Sequence, residues 1–220
     1  MTGIAIDSRA VEPGNLFVAM QGGSVDGHDY IPKAIDKGAV AVAGQKDLDD
    51  LPVPYIRLED SRRALTYLAV LYHRRGDVKQ VEIYVPRCLE ASHRSQMIEY
   101  IGTAYANLAW ANWKKGEFGN FEANFKIAQG DWERAGKGHA SGSFQFIILF
   151  PAISVALLQE DLPRAIEYAR RLLDPLQKRL EDDLTDSLSR AVKAADEARL
   201  REAQSHLQEA IKLAEQYHYL

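Results

Sequence analysis

Residues 67–77 read YLAVLYHRRGD, and the stretch accepts two parses. As the last helix of a small α/β domain, its apolar face Leu68, Leu71 and Tyr72 closes a core that begins near Met1. As the first helix and turn of a helical array, the same residues open a run of helices that extends to Leu220. The textures on either side decide how far each parse reaches.

Upstream, the chain is written in strands and turns. Gly3-Ile4-Ala5-Ile6 is a short apolar strand, and Pro13-Gly14-Asn15 turns into the β-run Leu16 to Met20. A glycine-rich loop follows, Gln21-Gly22-Gly23-Ser24-Val25-Asp26-Gly27-His28. Tyr30 to Lys37 has helical spacing at Ile31, Ala34 and Ile35, with Gly38 at the helix C-cap position. Ala39 to Ala43 and Tyr55 to Leu58 are two further strands, and the helix containing YLAVLY completes an α/β pattern.

Downstream, every periodic segment is helical and the pattern repeats. A turn at Gly76, Gly116, Glu160 or Ala198 leads five residues later to Val81, Phe121, Ala165 or Ala203. Four and seven residues beyond lie Val85 and Cys88, Phe125 and Ala128, Ala169 and Leu172, Leu207 and Ala210, each set one apolar helix face. The contact positions recur about every 40 residues, the signature of stacked helix pairs.

Composition narrows the function classes. Hydrophobic content of 46% with 26% charged residues suits a folded domain, and a net charge of −4 over 220 residues gives no footprint for nucleic acid or an anionic membrane. The single cysteine, Cys88, excludes an intramolecular disulfide framework and reads as a buried hydrophobe in a reducing compartment. The opening residues reach an acid and an arginine too early for a signal peptide. The longest apolar run, Phe144 to Val155, falls short of the ~20 residues of a bilayer span, so a cytoplasmic location is expected. Histidines 28, 73, 93, 139, 206 and 218 show no metal-site pairing. Neither a metal nor a cofactor is expected.

Two family resemblances follow. The unit 108–128, LAWANWKKGEFGNFEANFKIA, resembles the tetratricopeptide (TPR) consensus at Leu108-Ala109, Gly116-Glu117-Phe118, Phe125 and Ala128. That resemblance implies a protein-binding surface, with Trp110 and Trp113 as candidate contacts. The segment from Gly3 to Tyr72 resembles the N-terminal domain of the Mur ligases, most closely the MurE type of UDP-N-acetylmuramoyl-peptide ligase of cell-wall synthesis. The residues that carry it are Asp7-Ser8-Arg9-x-Val11-x-Pro13-Gly14-x-Leu16-Phe17-Val18-Ala19, then Gly22, Asp26-Gly27-His28-Asp29-Tyr30-Ile31, Ala34-Ile35-x-x-Gly38-Ala39-x-Ala41-Val42, and Asp60-Ser61-Arg62-x-Ala64-Leu65.

By that resemblance the domain holds the uridine diphosphate end of a UDP-muramoyl peptide. Ser8 contacts the diphosphate, Gly22, Gly23, Ser24 and Val25 line the uridine, and Asp26 and His28 shape the loop, the imidazole bonding either backbone or ligand. Glycines suit such a loop because they let backbone N–H groups approach an anion. The family's ATP-binding loop ending in Gly-Lys-Thr belongs shortly after Tyr72, where this chain has His73-Arg74-Arg75-Gly76-Asp77. The one fragment with a passing likeness to it, Gly130 to Gly138, has the wrong spacing and reads as an inter-repeat loop.

The sequence therefore predicts a small α/β domain, residues 1–76, followed by an all-α, TPR-like α-α solenoid, residues 77–220. The first repeat begins inside a shared helix, 61–75, that joins the two parts rigidly. The expected function is non-catalytic: recognition of a UDP-muramoyl-type nucleotide by the first part and of a protein partner by the second. The alternatives are a split form of the ligase that needs ATP and its missing domains, and a purely structural interaction module.

Overall fold

Four short strands lie side by side in chain order, β1 (Gly3–Ala5), β2 (Asn15–Val18), β3 (Ala41–Gly44) and β4 (Tyr55–Arg57), and every neighbouring pair is parallel. The computed structural model describes residues 3–20, 26–58, 61–94, 96–136, 144–175, 177 and 179–220. It divides into two compact units, Met1–Leu68 and Ala69–Leu220.

In the first unit, β2 and β3 read as continuous apolar runs because both their faces are covered: Phe17 and Val42 are buried, and so are Val18 and Ala43. The core joins Ala5, Val11, Phe17, Ala19, Ile31, Ala34, Ala39 and Val42, with Leu48, Leu51, Val53 and Tyr55 packed against it. Helix α1 (Ile31–Asp36) carries β2 to β3. Gly38 follows it at φ +96°, where an added Cβ would stand 3.0 Å from the Pro13 Cα. The expected C-cap glycine is thus required twice, by its left-handed backbone and by that contact. The other two crossovers use no α-helix. A single 3-10 turn (Ser8–Ala10) is enough to bring the chain from β1 back to β2.

Helix α2 (Ser61–Arg74) is continuous, and the boundary between the units falls within it. Its apolar face differs from the expected one. Leu65 and Leu68 are buried, but Leu71 is 38% exposed and Tyr72 is half-buried, stacked on Tyr84 with centroids 5.3 Å apart. His73 takes the inward position and is fully buried.

The remaining helices are α3 (Val78–Arg94), α4 (Ile98–Lys114), α5 (Phe118–Ala135), α6 (Phe146–Leu158), α7 (Leu162–Leu172), α8 (Asp182–Asp196) and α9 (Leu200–Gln216). The four predicted turns share one geometry. Gly76, Gly116, Glu160 and Ala198 have φ of 69°, 75°, 58° and 58°. The next residue in each case returns its N–H to a carbonyl five positions back: Asp77 to Tyr72, Glu117 to Asn112, Asp161 to Ala156, and Arg199 to Ala194. This is the Schellman closure of a helix C-terminus. Val81, Phe121, Ala165 and Ala203, five residues past each turn, are all buried. Gly130 to Ala135, expected as a loop, forms the last turns of α5.

A strict solenoid makes contacts only between neighbouring repeats, and this unit does not. Helix α6 is buried at every position from Phe146 to Ile153 and packs against α4, α7 and α9. The residues after α9 return to the end of α2. The His73 Nε2 donates to the Tyr219 carbonyl at 3.2 Å, and the Arg74 guanidinium donates to the Tyr217 carbonyl at 2.9 Å while lying 4.6 Å from the Tyr219 ring centroid. The Tyr219 ring also meets Phe146 and Phe150. Cys88 is buried, which pushes its thiol up to about 12 and leaves it unreactive at neutral pH.

Removing the Tyr219 ring, Tyr219→Ala, should cost about 3–5 kcal/mol in chemical denaturation. It should also raise amide exchange in the last turn of α2, whereas an open array would loosen only near α9. Burial pushes the His73 imidazole down to about 3, so the folded state stays neutral where the unfolded chain takes up a proton. This contribution to stability is intact above about pH 6.5 and is lost as pH falls from there toward 3, by up to ~1.4 kcal/mol per pH unit. His73→Gln should flatten that part of the stability–pH curve.

Candidate functional site

In an open parallel sheet the carboxyl ends of the strands form the natural ligand crevice, and Ser8, Asp26 and His28 follow the strands there. Ser8 follows β1 inside the 3-10 turn and is buried. Asp7 caps that turn: its Oδ1 accepts the Arg9 backbone N–H at 2.8 Å, and the Arg9 guanidinium forks onto the same carboxylate. Asp26 and His28 follow β2. Gly22, Gly23, Ser24 and Val25 lie outside the described residues.

Gly27 is fixed by backbone crowding. Its N–H donates to the Met20 carbonyl at 2.7 Å, and an added Cβ would stand 2.5 Å from the Met20 N and 2.6 Å from its O. The Asp26 Oδ1 accepts both the His28 backbone N–H at 2.9 Å and the His28 Nδ1–H at 2.6 Å, while its Oδ2 pairs with the Lys46 ammonium at 2.7 Å. The Lys46 ammonium, and after it the His28 backbone N–H, hold the Asp26 carboxyl well below the usual carboxylate range.

On its other side the imidazole faces the exit of β3. Its Nε2 accepts the Gln45 backbone N–H at 3.0 Å, which places the ring proton on Nδ1. The ring lies on Gly44, where a Cβ would be 2.5 Å from Nε2 and 2.8 Å from the Tyr55 hydroxyl. That hydroxyl donates to the Lys46 carbonyl at 2.7 Å. Sequence reasoning missed Gly44, Gln45, Lys46 and Tyr55. The signal present was a glycine closing an apolar run, which marks close approach by another group.

The two candidate protein contacts separate. Trp110 is 0% exposed, with its ring 4.4 Å from that of His73, so it belongs to the core of the helical unit and not to a groove. Trp113 is half-buried, with the Lys114 ammonium 5.2 Å from its ring centroid. Among the described residues, no group of three or more His, Cys, Asp or Glu side chains is arranged to hold a metal, and no helix is long and apolar enough to cross a membrane.

Residues 1–73 match the family model described as Mur ligase family, catalytic domain. The chain is 45% identical over 75 residues to a UDP-N-acetylmuramyl-tripeptide synthetase of Roseiflexus sp., a match covering 33% of this chain and 15% of that one. It is 46% identical over 76 residues to the UDP-N-acetylmuramoyl-L-alanyl-D-glutamate--2,6-diaminopimelate ligase of Bacteroides thetaiotaomicron, covering 33% and 16%. Among solved structures, the MurF ligase of Thermotoga maritima in complex with ADP is 32% identical over 30% of this chain and 15% of that one, at a TM-score of 0.27. The chain thus spans about one sixth of the length of these curated relatives.

Gly27→Ala should destabilise the first unit by about 3 kcal/mol or more, because the clash is with backbone that no rotamer change relieves. Gly130→Ala is the control: a Cβ there meets nothing within 4 Å in a helix interior. That substitution should gain roughly 0.5–1 kcal/mol in the same denaturation experiment.

Proposed function

We propose that this chain is a non-catalytic binding protein that takes a UDP-muramoyl-type nucleotide at the carboxyl edge of its sheet. The observation that carries the reading is the convergence at that edge of Ser8 and the Asp26–His28 segment, residues of the stretch most similar to UDP-muramoyl-peptide ligases. Ser8, with Gly22, Gly23, Ser24 and Val25, meets the nucleotide. The helical unit, read as degenerate TPR-like pairs on the strength of its four equal turns, takes a protein partner, with Trp113 the remaining aromatic candidate. Support for a non-catalytic role comes from the stretch after Tyr72, where the family's phosphate-binding loop belongs: it is a helix end and turn leading into α3.

The 45% identity over 75 residues also favours a second reading, a split ligase whose remaining domains are supplied by another chain. Calorimetric titration of the full chain with UDP-N-acetylmuramoyl-dipeptide separates the readings. Binding that weakens about tenfold in Ser8→Ala, without ATP turnover, is the expected result. No heat at millimolar ligand would overturn the nucleotide site. ATP hydrolysis stimulated by that ligand would replace the non-catalytic reading with the ligase one.

A further inference from the structure

His28 stands at the proposed nucleotide edge, yet its ring has nothing left to offer a ligand. The side chain is 3% exposed. Nδ1 is committed to Asp26 on its own segment, Nε2 receives the N–H of Gln45 on the exit of β3, and one face of the ring covers Gly44. Its two hydrogen-bond partners therefore lie on the exits of two adjacent strands.

We propose that His28 is a positioning residue which, as the Nδ1–H tautomer, ties the segment after β2 to the exit of β3 and so sets the shape of the edge without touching the nucleotide. This inference rests on the nucleotide reading above for its consequence, though not for its geometry. Loss of the imidazole removes the acceptor that the Gln45 N–H meets at 3.0 Å. Protonation acts in the same direction. A proton on Nε2 turns the acceptor into a donor that faces the Gln45 N–H, and the Lys46 N–H 3.4 Å away.

The test uses the full chain, nitrogen NMR of the histidine rings, amide exchange, and calorimetry with UDP-N-acetylmuramoyl-dipeptide. The wild type should show Nδ1 protonated, Nε2 bare and the Gln45 amide protected, with the His28 ring signals unmoved at saturating nucleotide. His28→Ala should lose the Gln45 protection and about tenfold or more in affinity. His28→Gln, whose side-chain oxygen reaches the position of Nε2, should restore both in large part. Should His28→Ala fail to fold, the wild type carries the test: a protected Gln45 amide, a bare Nε2 and ring signals unmoved by saturating nucleotide are the expected result. Ring signals that shift on nucleotide binding would make His28 a ligand contact and overturn the proposal. So would an affinity and a Gln45 protection indifferent to His28→Ala. If wild-type nucleotide binding is absent, the binding reading fails, while the tautomer and exchange measurements still decide whether the tie exists.

Discussion

In each unit a planar ring rests on a bare glycine α-carbon. In the first, the His28 imidazole occupies the space that any Cβ at residue 44 would need. In the second, the Trp132 indole lies on Gly102, with Cδ1 and Nε1 each 2.9 Å from where a Cβ would be, and its Nε1–H donates to the Glu99 carbonyl. A side chain at either glycine would force the ring to move, and each ring adds a hydrogen bond to backbone. Surface ion pairs do less. Lys46 is 48% exposed at its pair with Asp26, and a pair open to solvent contributes little. The carboxyl edge is therefore held by glycine, imidazole and backbone N–H, and its ion pairs are secondary.

The helical unit depends on a different constraint, the left-handed residue after each first helix. At Gly76 and Gly116 that conformation is free of Cβ strain, but Glu160 and Ala198 adopt it with side chains, at roughly 1 kcal/mol each. The packing beyond the turn offsets this. Ala165 and Ala203 are buried where the paired helices touch, and residues this small let the helices approach closely. The turn geometry is thus enforced by the pairing it creates, which is why glycine, glutamate and alanine can all serve. Closure adds a contact that no pairwise repeat predicts, His73 to Tyr219, 146 residues apart.

Much of this was legible in the sequence. The strands, α1, Gly38 and the four helix turns follow from apolar period and glycine placement, and the structure has them close to the expected positions. What escaped depends on partners far along the chain. His73 sits in a run of basic residues, yet it is the ring that α4, α6 and the residues after α9 enclose. Leu71 reads as core by type and faces outward. Trp110 reads as a groove aromatic until His73 covers it. At the candidate site, Gln45 and Lys46 escaped because their contribution is a backbone N–H, which every residue but proline carries and which no side-chain pattern advertises.

The charges at the carboxyl edge bear on how an anion would be held there. Three cations follow the strand ends, and each is matched to a nearby acid: Arg9 to Asp7, Lys46 to Asp26, and Arg57 to Asp47 at 2.6 Å. A diphosphate arriving at this edge competes with carboxylates for every one of them, so point-charge attraction gives it little net gain. The donors without such competition are neutral, the hydroxyl of Ser8 and backbone N–H groups, and these act by direction and distance more than by charge. Under the nucleotide reading, discrimination then comes from shape. A nucleotide that places its phosphates while its base and sugar fill the edge gains what a free phosphate, drawn only by charge, does not. Under the same reading the bracing of this edge by glycine, imidazole and backbone N–H matters, because neutral donors hold an anion only when they are already in place.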